Sequence, residues 1–146
     1  MDPAGIVLAY FFAQYFGTDA ISRFHILGPA VVILMSATVS FESLILGEAG
    51  SEKIGYKPNR GYQVQSALNN LATAVAALLV LLLGWGLYAD ATIVTVMLLF
   101  FSFSAVNHAA TAIREHNMKL VNLMRPIMAL LLLGVLLPPM ISALTQ

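Results

Sequence analysis

Residues 64 to 88 read VQSALNNLATAVAALLVLLLGWGLY, a run that contains no charged side chain. A helix needs about 20 apolar residues to cross the roughly 30 Å hydrocarbon core of a bilayer, so this run is long enough to span a membrane. Three further stretches reach the required length, at residues 27 to 47, 91 to 113 and about 120 to 143. The sequence therefore predicts four transmembrane helices.

The N-terminal stretch, residues 4 to 22, is apolar as far as Phe16 and then turns polar at Gly17-Thr18-Asp19. About 13 apolar residues are too few to cross a bilayer unless the helix continues further. We therefore expect either a short fifth span or an interfacial helix. A cleavable signal peptide is the alternative, but Met1-Asp2-Pro3 is acidic where such a signal carries Lys or Arg.

The composition agrees with residence in lipid. Of 146 residues, 60% are hydrophobic and 10% are charged, and the mean hydropathy is +0.87. Soluble domains carry roughly 25% charged residues. We predict an all-α, integral membrane helical bundle that forms one transmembrane domain over residues 1 to 146, since no internal repeat or long linker divides the sequence. A formal net charge of zero argues against a nucleic-acid partner, and the absence of cysteine excludes disulfide and thiolate chemistry.

The basic residues predict how the helices are oriented. All but one of the seven Lys and Arg residues lie in two connections, residues 48 to 63 and 114 to 126, and the exception is Arg23. Cytoplasmic loops of membrane proteins carry an excess of Lys and Arg. Both connections are therefore predicted to be cytoplasmic, whereas the C-terminus and a tight turn at Ala89-Asp90 are predicted to lie outside.

Few strongly polar side chains lie well inside the hydrophobic segments, and the predicted topology directs all of them toward the cytoplasmic face. They are Glu42, Gln65, Asn69, Asn70, Asn107 and His108. A carboxylate or imidazole in hydrocarbon costs several kcal/mol unless it turns inward and finds a partner. We expect these side chains to converge in a candidate polar pocket. Within it, Glu42 and His108 are predicted to form a titratable pair, directly or through Asn70 or a water.

Packing is the alternative role for these residues. Interhelical hydrogen bonds between amide side chains contribute only around 0.6 kcal/mol each in membranes, and Glu42 could extend to the nearby interface. His25 and His116 lie near the interfaces and are expected to be solvated. Close helix contact is the role expected for a set of small residues, namely Gly84, Gly86, Gly134, Ala72 and Ala76.

The sequence contains no motif of a known catalytic site. GxSxG, HExxH, the P-loop and the dinucleotide fingerprint are all absent. A metal or haem site needs several ligands at a shared depth, and only Glu42 and His108 qualify. We therefore expect no catalytic residue, no metal and no cofactor.

Two stretches resemble a known family. The run IGYKPNRGYQVQSALNNL, residues 54 to 71, and the later Ala105-Val106-Asn107-His108 are similar to a family of small polytopic prokaryotic membrane proteins known only as a domain of unknown function. The family pattern has I-G-W, then Gln, an acidic residue and Asn-Leu. The positions here that match it in identity or kind are Ile54, Gly55, Tyr56, Gln63, Asn70 and Leu71.

The resemblance covers roughly residues 27 to 140 and implies the membrane fold without implying an activity. Gln65 stands where the family tends to have a carboxylate, and Ser43 stands roughly where it often has a second histidine. The acid and histidine pair that the resemblance implies is therefore incomplete at these positions.

Two function classes remain open on the sequence. The first is a non-catalytic subunit or oligomer-forming component of a membrane complex, with the lipid bilayer and either further copies or other membrane subunits as partners. The second is a small transporter or proton-linked carrier that uses the pocket around Glu42 and His108. The outer halves of the spans, such as Leu78 to Leu83, offer no polar lining for a continuous pathway, so the first class is favoured. A membrane enzyme acting on a lipid or quinone comes third.

Overall fold

The computed structural model describes residues 3–55, 57, 59–116 and 118–146. This part of the chain forms helices and no strand, which confirms the predicted all-α class. The helices are α1 Pro3–Phe16, α2 Ala20–Ile45, α3 Gly47–Ile54, α4 Arg60–Leu83, α5 Leu87–Arg114 and α6 Leu120–Leu144. Met1, Asp2 and Tyr56, which bear on the signal-peptide alternative and the family signature, lie outside the described residues.

Four of these helices, α2, α4, α5 and α6, are long and apolar enough to cross a membrane, as predicted. The 14 residues of α1 rise only about 21 Å along the helix axis, less than the hydrocarbon thickness. α1 packs along α2 and buries Ala9 and Ala13, whereas its large apolar side chains remain exposed. It is a short apolar helix attached to the side of the bundle.

α2 lies at the centre of the bundle and contacts α1, α4, α5 and α6. Half of its most apolar window is buried, against 22% to 28% in the other three spans. The other spans therefore present most of their surface to lipid or to partners. The core forms where α2 meets α5 and α6, and its buried side chains include Phe24, Leu27, Val31, Val32, Met97, Leu132 and Leu136.

Gly28 allows α5 to approach α2 closely. A Cβ atom at this position would lie 2.9 Å from Val94 Cγ2 and 3.1 Å from the ring of Phe24. Any larger residue would have to displace one of these side chains, and overpacking of this kind destabilises a core. Gly28, which was not among the glycines expected from the sequence, therefore permits close contact between two spans.

The connection between α4 and α5 differs from the predicted turn. Gly84 ends α4 with φ 59°, and Gly86 precedes α5 with φ 95°, so the turn lies at these glycines. The tight turn predicted at Ala89-Asp90 is wrong, because both residues lie in the first turn of α5 and the glycines supply the positive φ. A Cβ at Gly84, Gly86 or Gly134 would meet no atom within 4 Å, so their expected role in close contact within the chain is also wrong.

A capping box starts α2. The carboxylate of Asp19 accepts a hydrogen bond of 2.7 Å from the Ser22 backbone N–H, and the Ser22 hydroxyl accepts one of 3.0 Å from the Asp19 N–H. The Ser22 backbone N–H, followed by its hydroxyl, lowers the pKa of Asp19 from its ordinary 3.8. Because the folded-state pKa is the lower one, the cap stabilises α2 above the ordinary pKa and loses this effect as the pH falls through the lowered value.

Two side chains at the start of α4 hold the connection from α2. Arg60 donates from Nη2 to Leu44 O at 3.1 Å and from Nη1 to Ser43 O at 3.4 Å, which satisfies carbonyls at the end of α2. Buried Gln63 donates from Nε2 to Gly47 O at 2.9 Å and to Ser51 Oγ at 2.7 Å. α3 is thereby tied to the start of α4.

Candidate functional site

The structure separates the six residues of the candidate polar pocket. Asn70 and His108 are buried, at 2% and 7% exposure. The other four, Glu42, Gln65, Asn69 and Asn107, are exposed in the single chain. The prediction that Asn69 points into the bundle alongside Asn70 is therefore wrong for the chain on its own.

Helix geometry explains why neighbouring asparagines point in different directions. The buried positions of α4 recur every three or four residues, as expected for one face of a helix: Gln63, Ala67, Asn70, Ala74, Ala77 and Val80. Asn69 is rotated by about 100° from Asn70, at 3.6 residues per turn, so it lies outside the buried face and toward the opposite side of the helix. Four residues share that opposite side, which we call the outward face of α4: Gln65, Asn69, Ala72 and Ala76.

His108 faces α6. Its Nδ1 atom lies 2.6 Å from Oδ1 of Asn122, which is fully buried. Arg125, one turn further along α6, is close enough to act on His108 electrostatically. Asn70 donates from Nδ2 to Ser66 O in its own helix at 2.8 Å. The pairing of His108 with Glu42 stays a prediction.

Glu42 lines a cavity of about 600 Å³ between α1, α2, α5 and α6. Arg125 also lines it, together with Thr38 and Ser104. The remaining wall is mostly apolar and includes three methionines, Met35, Met124 and Met128. The carboxylate of Glu42 and the guanidinium of Arg125 thus line the same largely apolar cavity, near the end of α2 and the start of α6.

An acid and histidine pair is present at the opposite end of the bundle. His25 Nδ1 lies 3.1 Å from Oδ1 and 3.0 Å from Oδ2 of Asp90, so it contacts both carboxylate oxygens. The Asp90 side chain is 1% exposed and that of His25 is 28% exposed. His25, which was expected to be solvated, is therefore only partly exposed and contacts Asp90. This contact joins the start of α2 to the start of α5.

The sequence held a usable signal for this pair, which our interpretation missed. Asp90 looked like a turn residue because the turn was placed too late in the chain. With the turn at the glycines, Asp90 falls in the first helical turn, where an acidic residue favours the helix dipole. His25 lies near the start of α2, at the same end of an antiparallel bundle. For Asn122 and Arg125 the signal was their spacing of three on α6.

Among the described residues, no three His, Asp or Glu side chains come together as a metal site would require. The fold and the placement of polar groups define the chain as a polytopic α-helical membrane protein. It belongs to a family of unknown function, DUF6790, whose model matches residues 18–145. No curated protein and no solved structure matches the chain.

The His25 and Asp90 contact leads to a prediction about stability. Changing His25→Leu leaves a buried carboxylate without its partner, so we expect the free energy of unfolding to fall by about 3 to 5 kcal/mol. Adding Asp90→Leu removes the stranded charge and should restore most of that loss, because apolar replacement of a buried pair is often nearly neutral. Fluorescence of Trp85, the single tryptophan, reports unfolding in detergent.

The exposed His116 provides the control for this cycle. His116→Asn should leave the free energy of unfolding within about 0.5 kcal/mol of the original chain. If the double variant at positions 25 and 90 unfolds as readily as His25→Leu alone, the pair does not act as a buried charge contact.

Proposed function

We propose that this chain is a non-catalytic membrane protein that assembles with further copies of itself through the outward face of α4. The exposure of Gln65 and Asn69 carries this proposal. Asn69 lies nine residues after Arg60, about 13 Å of helix rise from the start of α4. Two amide side chains therefore face outward from a helix that is apolar enough to cross the membrane.

At the depth of Asn69, an exposed amide has no water to bind. Unsatisfied polar groups cost several kcal/mol in hydrocarbon, so a neighbouring helix has to supply hydrogen-bond partners. Ala72 and Ala76 continue the same face toward the other end of α4, and small residues let two helix backbones approach closely. Polar groups for hydrogen bonding and small groups for close approach thus lie on one face.

A second copy of this chain suits the outward face. Copies in one membrane share an orientation, so a two-fold axis along the membrane normal brings two α4 helices together in parallel. Each amide has both donors and acceptors, so Asn69 can pair with Asn69 of the second copy, as buried asparagines do in parallel coiled coils. α1 does not contact α4 and leaves this face uncovered. A different membrane subunit with matching amides is the other partner that would satisfy it.

The orientation in the membrane is part of the proposal. We infer that connections 48–63 and 114–126 face the cytoplasm, with the C-terminus outside, because Lys and Arg concentrate there. We also infer that residues 1–146 act as one transmembrane domain, that its setting is a prokaryotic membrane, and that the run 54–71 is the family signature. The hydrogen bonds of Arg60 and Gln63 support a structural role for that run.

A carrier is the second candidate function, and the cavity lined by Glu42 and Arg125 favours it. Both residues lie in the predicted cytoplasmic half, and Arg125 follows Asn122, the partner of His108, by one turn of α6. Intramembrane ionisable groups are candidates for proton handling. Proton uptake by proteoliposomes should then fall in Glu42→Gln and His108→Gln. If vesicles that contain the original chain take up no more protons than empty vesicles, the chain is not a proton-linked carrier.

Substitution in the outward face tests assembly. Asn69→Leu removes the amide pair, so the free energy of dimer formation should become less favourable by about 1 to 2 kcal/mol. This change corresponds to a rise of roughly 5- to 30-fold in the dissociation constant. Analytical ultracentrifugation in mild detergent, or energy transfer between labelled copies in liposomes, measures the change.

Gln14→Leu is the matched control, because it makes a similar change on exposed α1, away from α4. It should leave the dissociation constant unaltered. A chain that is monomeric in both detergent and nanodiscs would contradict the proposal, and so would an Asn69→Leu variant that associates as tightly as the original.

Cysteine labelling tests the orientation, since the chain contains no native cysteine to react. We introduce Asn59→Cys at the start of α4 and Gln146→Cys at the C-terminus. A membrane-impermeant maleimide added outside intact cells should label position 146 and leave position 59 unlabelled until the membrane is opened. The reverse pattern would overturn the orientation.

A further inference from the structure

The cavity between α1, α2, α5 and α6 has a charged end and an apolar end. Glu42 lies three residues before the end of α2, and Arg125 lies five residues after the start of α6. At 1.5 Å per residue, both are within about 8 Å of the helix ends, the depth of lipid headgroups. The space then extends inward along Leu34 and Met35 of α2, about two helical turns from Glu42.

The apolar end of the cavity lies beside α1. The described part of α1 starts beside Leu34, where a Cβ on Gly5 would lie 3.3 Å from Leu34 Cδ1. α2 continues from there to Ile45, and Glu42 lies eight residues beyond Leu34. The wall formed along this stretch by α2 and α6 includes Met35 and Met128. Methionine adapts its shape to irregular apolar ligands.

The dimensions fit one hydrocarbon chain. The cavity measures about 600 Å³, which corresponds to about 20 groups of methylene or water size at roughly 30 Å³ each. A single acyl chain of common length occupies such a space, whereas the two chains of a phospholipid do not fit together. The second chain of a bilayer lipid would remain among its neighbours.

We propose that this cavity binds one phospholipid with a zwitterionic, primary-amine headgroup, of the phosphatidylethanolamine type, and holds one of its acyl chains. The guanidinium of Arg125 suits a phosphate, with which it can form two parallel hydrogen bonds. The carboxylate of Glu42 suits an ammonium that can donate hydrogen bonds. A choline headgroup has no N–H to donate, and a glycerol headgroup has no positive charge.

Native mass spectrometry with three lipids of identical acyl chains tests the headgroup. The original chain in mild detergent should retain one phosphatidylethanolamine per copy and saturate there. We expect saturation at a concentration about tenfold lower than for phosphatidylcholine or phosphatidylglycerol, the effect of one charged hydrogen bond. Equal retention of all three lipids, or binding that does not saturate at one per copy, would overturn the proposal.

Substitutions then test the site. Glu42→Gln keeps the size of the side chain and should reduce the preference for ethanolamine over choline to about twofold or less, since its charge is lost. Glu115→Gln, at the exposed end of α5, is the matched control and should keep the tenfold preference. An unchanged preference in Glu42→Gln would count against the assigned role of the carboxylate.

A second pair of variants tests whether the acyl chain enters the cavity. Met128→Trp fills the space and should abolish retention of the lipid, whereas Leu131→Trp changes an exposed position of α6 and should not. Retention in Met128→Trp would overturn the proposed site. No residue of α4 lines the cavity, so Asn69→Leu should retain the lipid. Lipid binding and assembly can therefore fail independently.

Discussion

The bundle depends on the burial of α2 by four neighbouring helices. In a membrane the hydrophobic effect does not drive one helix against another, so the fit between side chains decides which helix is central. α2 combines Gly28, which admits α5, with small buried Ser36 and Ser40 and a run of well-packed branched residues. The other spans are arranged around this helix, and each keeps an outward surface for lipid or a partner.

Because of this arrangement, two neighbouring asparagines of α4 lie in different environments, Asn70 buried and Asn69 exposed. Asn70 lies against the interior and donates to Ser66 of its own helix, so its polarity is satisfied within the chain. Asn69 lies on the outward face, where we propose that a second copy supplies its hydrogen-bond partner. A polar residue on the lipid side of a membrane helix carries a large penalty when it is isolated, which is why it points to assembly rather than to an internal pocket.

The hydrophobic pattern was sufficient to predict four spanning helices and their approximate limits, because a bilayer imposes one length on every span. The hydrophobic pattern was not sufficient to predict which polar side chains of the candidate pocket are buried. Depth along a helix can be read by counting residues, but the side on which a residue lies depends on which neighbour the helix packs against. Asn69 and Asn107 share a depth range with His108 and yet are exposed, whereas His108 reaches Asn122. The contact of His25 with Asp90 was missed for a local reason, since it required the turn at Gly84 and Gly86 to be recognised first.

Two residues in the run 54 to 71 make contacts that explain a structural role for this run. Gln63 holds the first turn of α3 through a backbone carbonyl and a serine hydroxyl, and Arg60 binds the last carbonyls of α2. These contacts set how α4 enters the membrane after α2 leaves it. An amide and a guanidinium supply the hydrogen-bond donors for these contacts.

Pro29 interrupts the backbone hydrogen bonding of the central helix, α2. Proline has no backbone N–H, so the carbonyl of His25 lacks the hydrogen bond that would normally come from four residues ahead. The segment before Pro29 is therefore joined to the rest of α2 with one backbone hydrogen bond fewer. His25 lies in that segment, and its side chain contacts Asp90. Asp90 belongs to α5, so this contact supports α2 near the position where its own backbone hydrogen bonding is interrupted. α5 thus holds α2 one turn before the position at which the α2 backbone lacks a hydrogen bond.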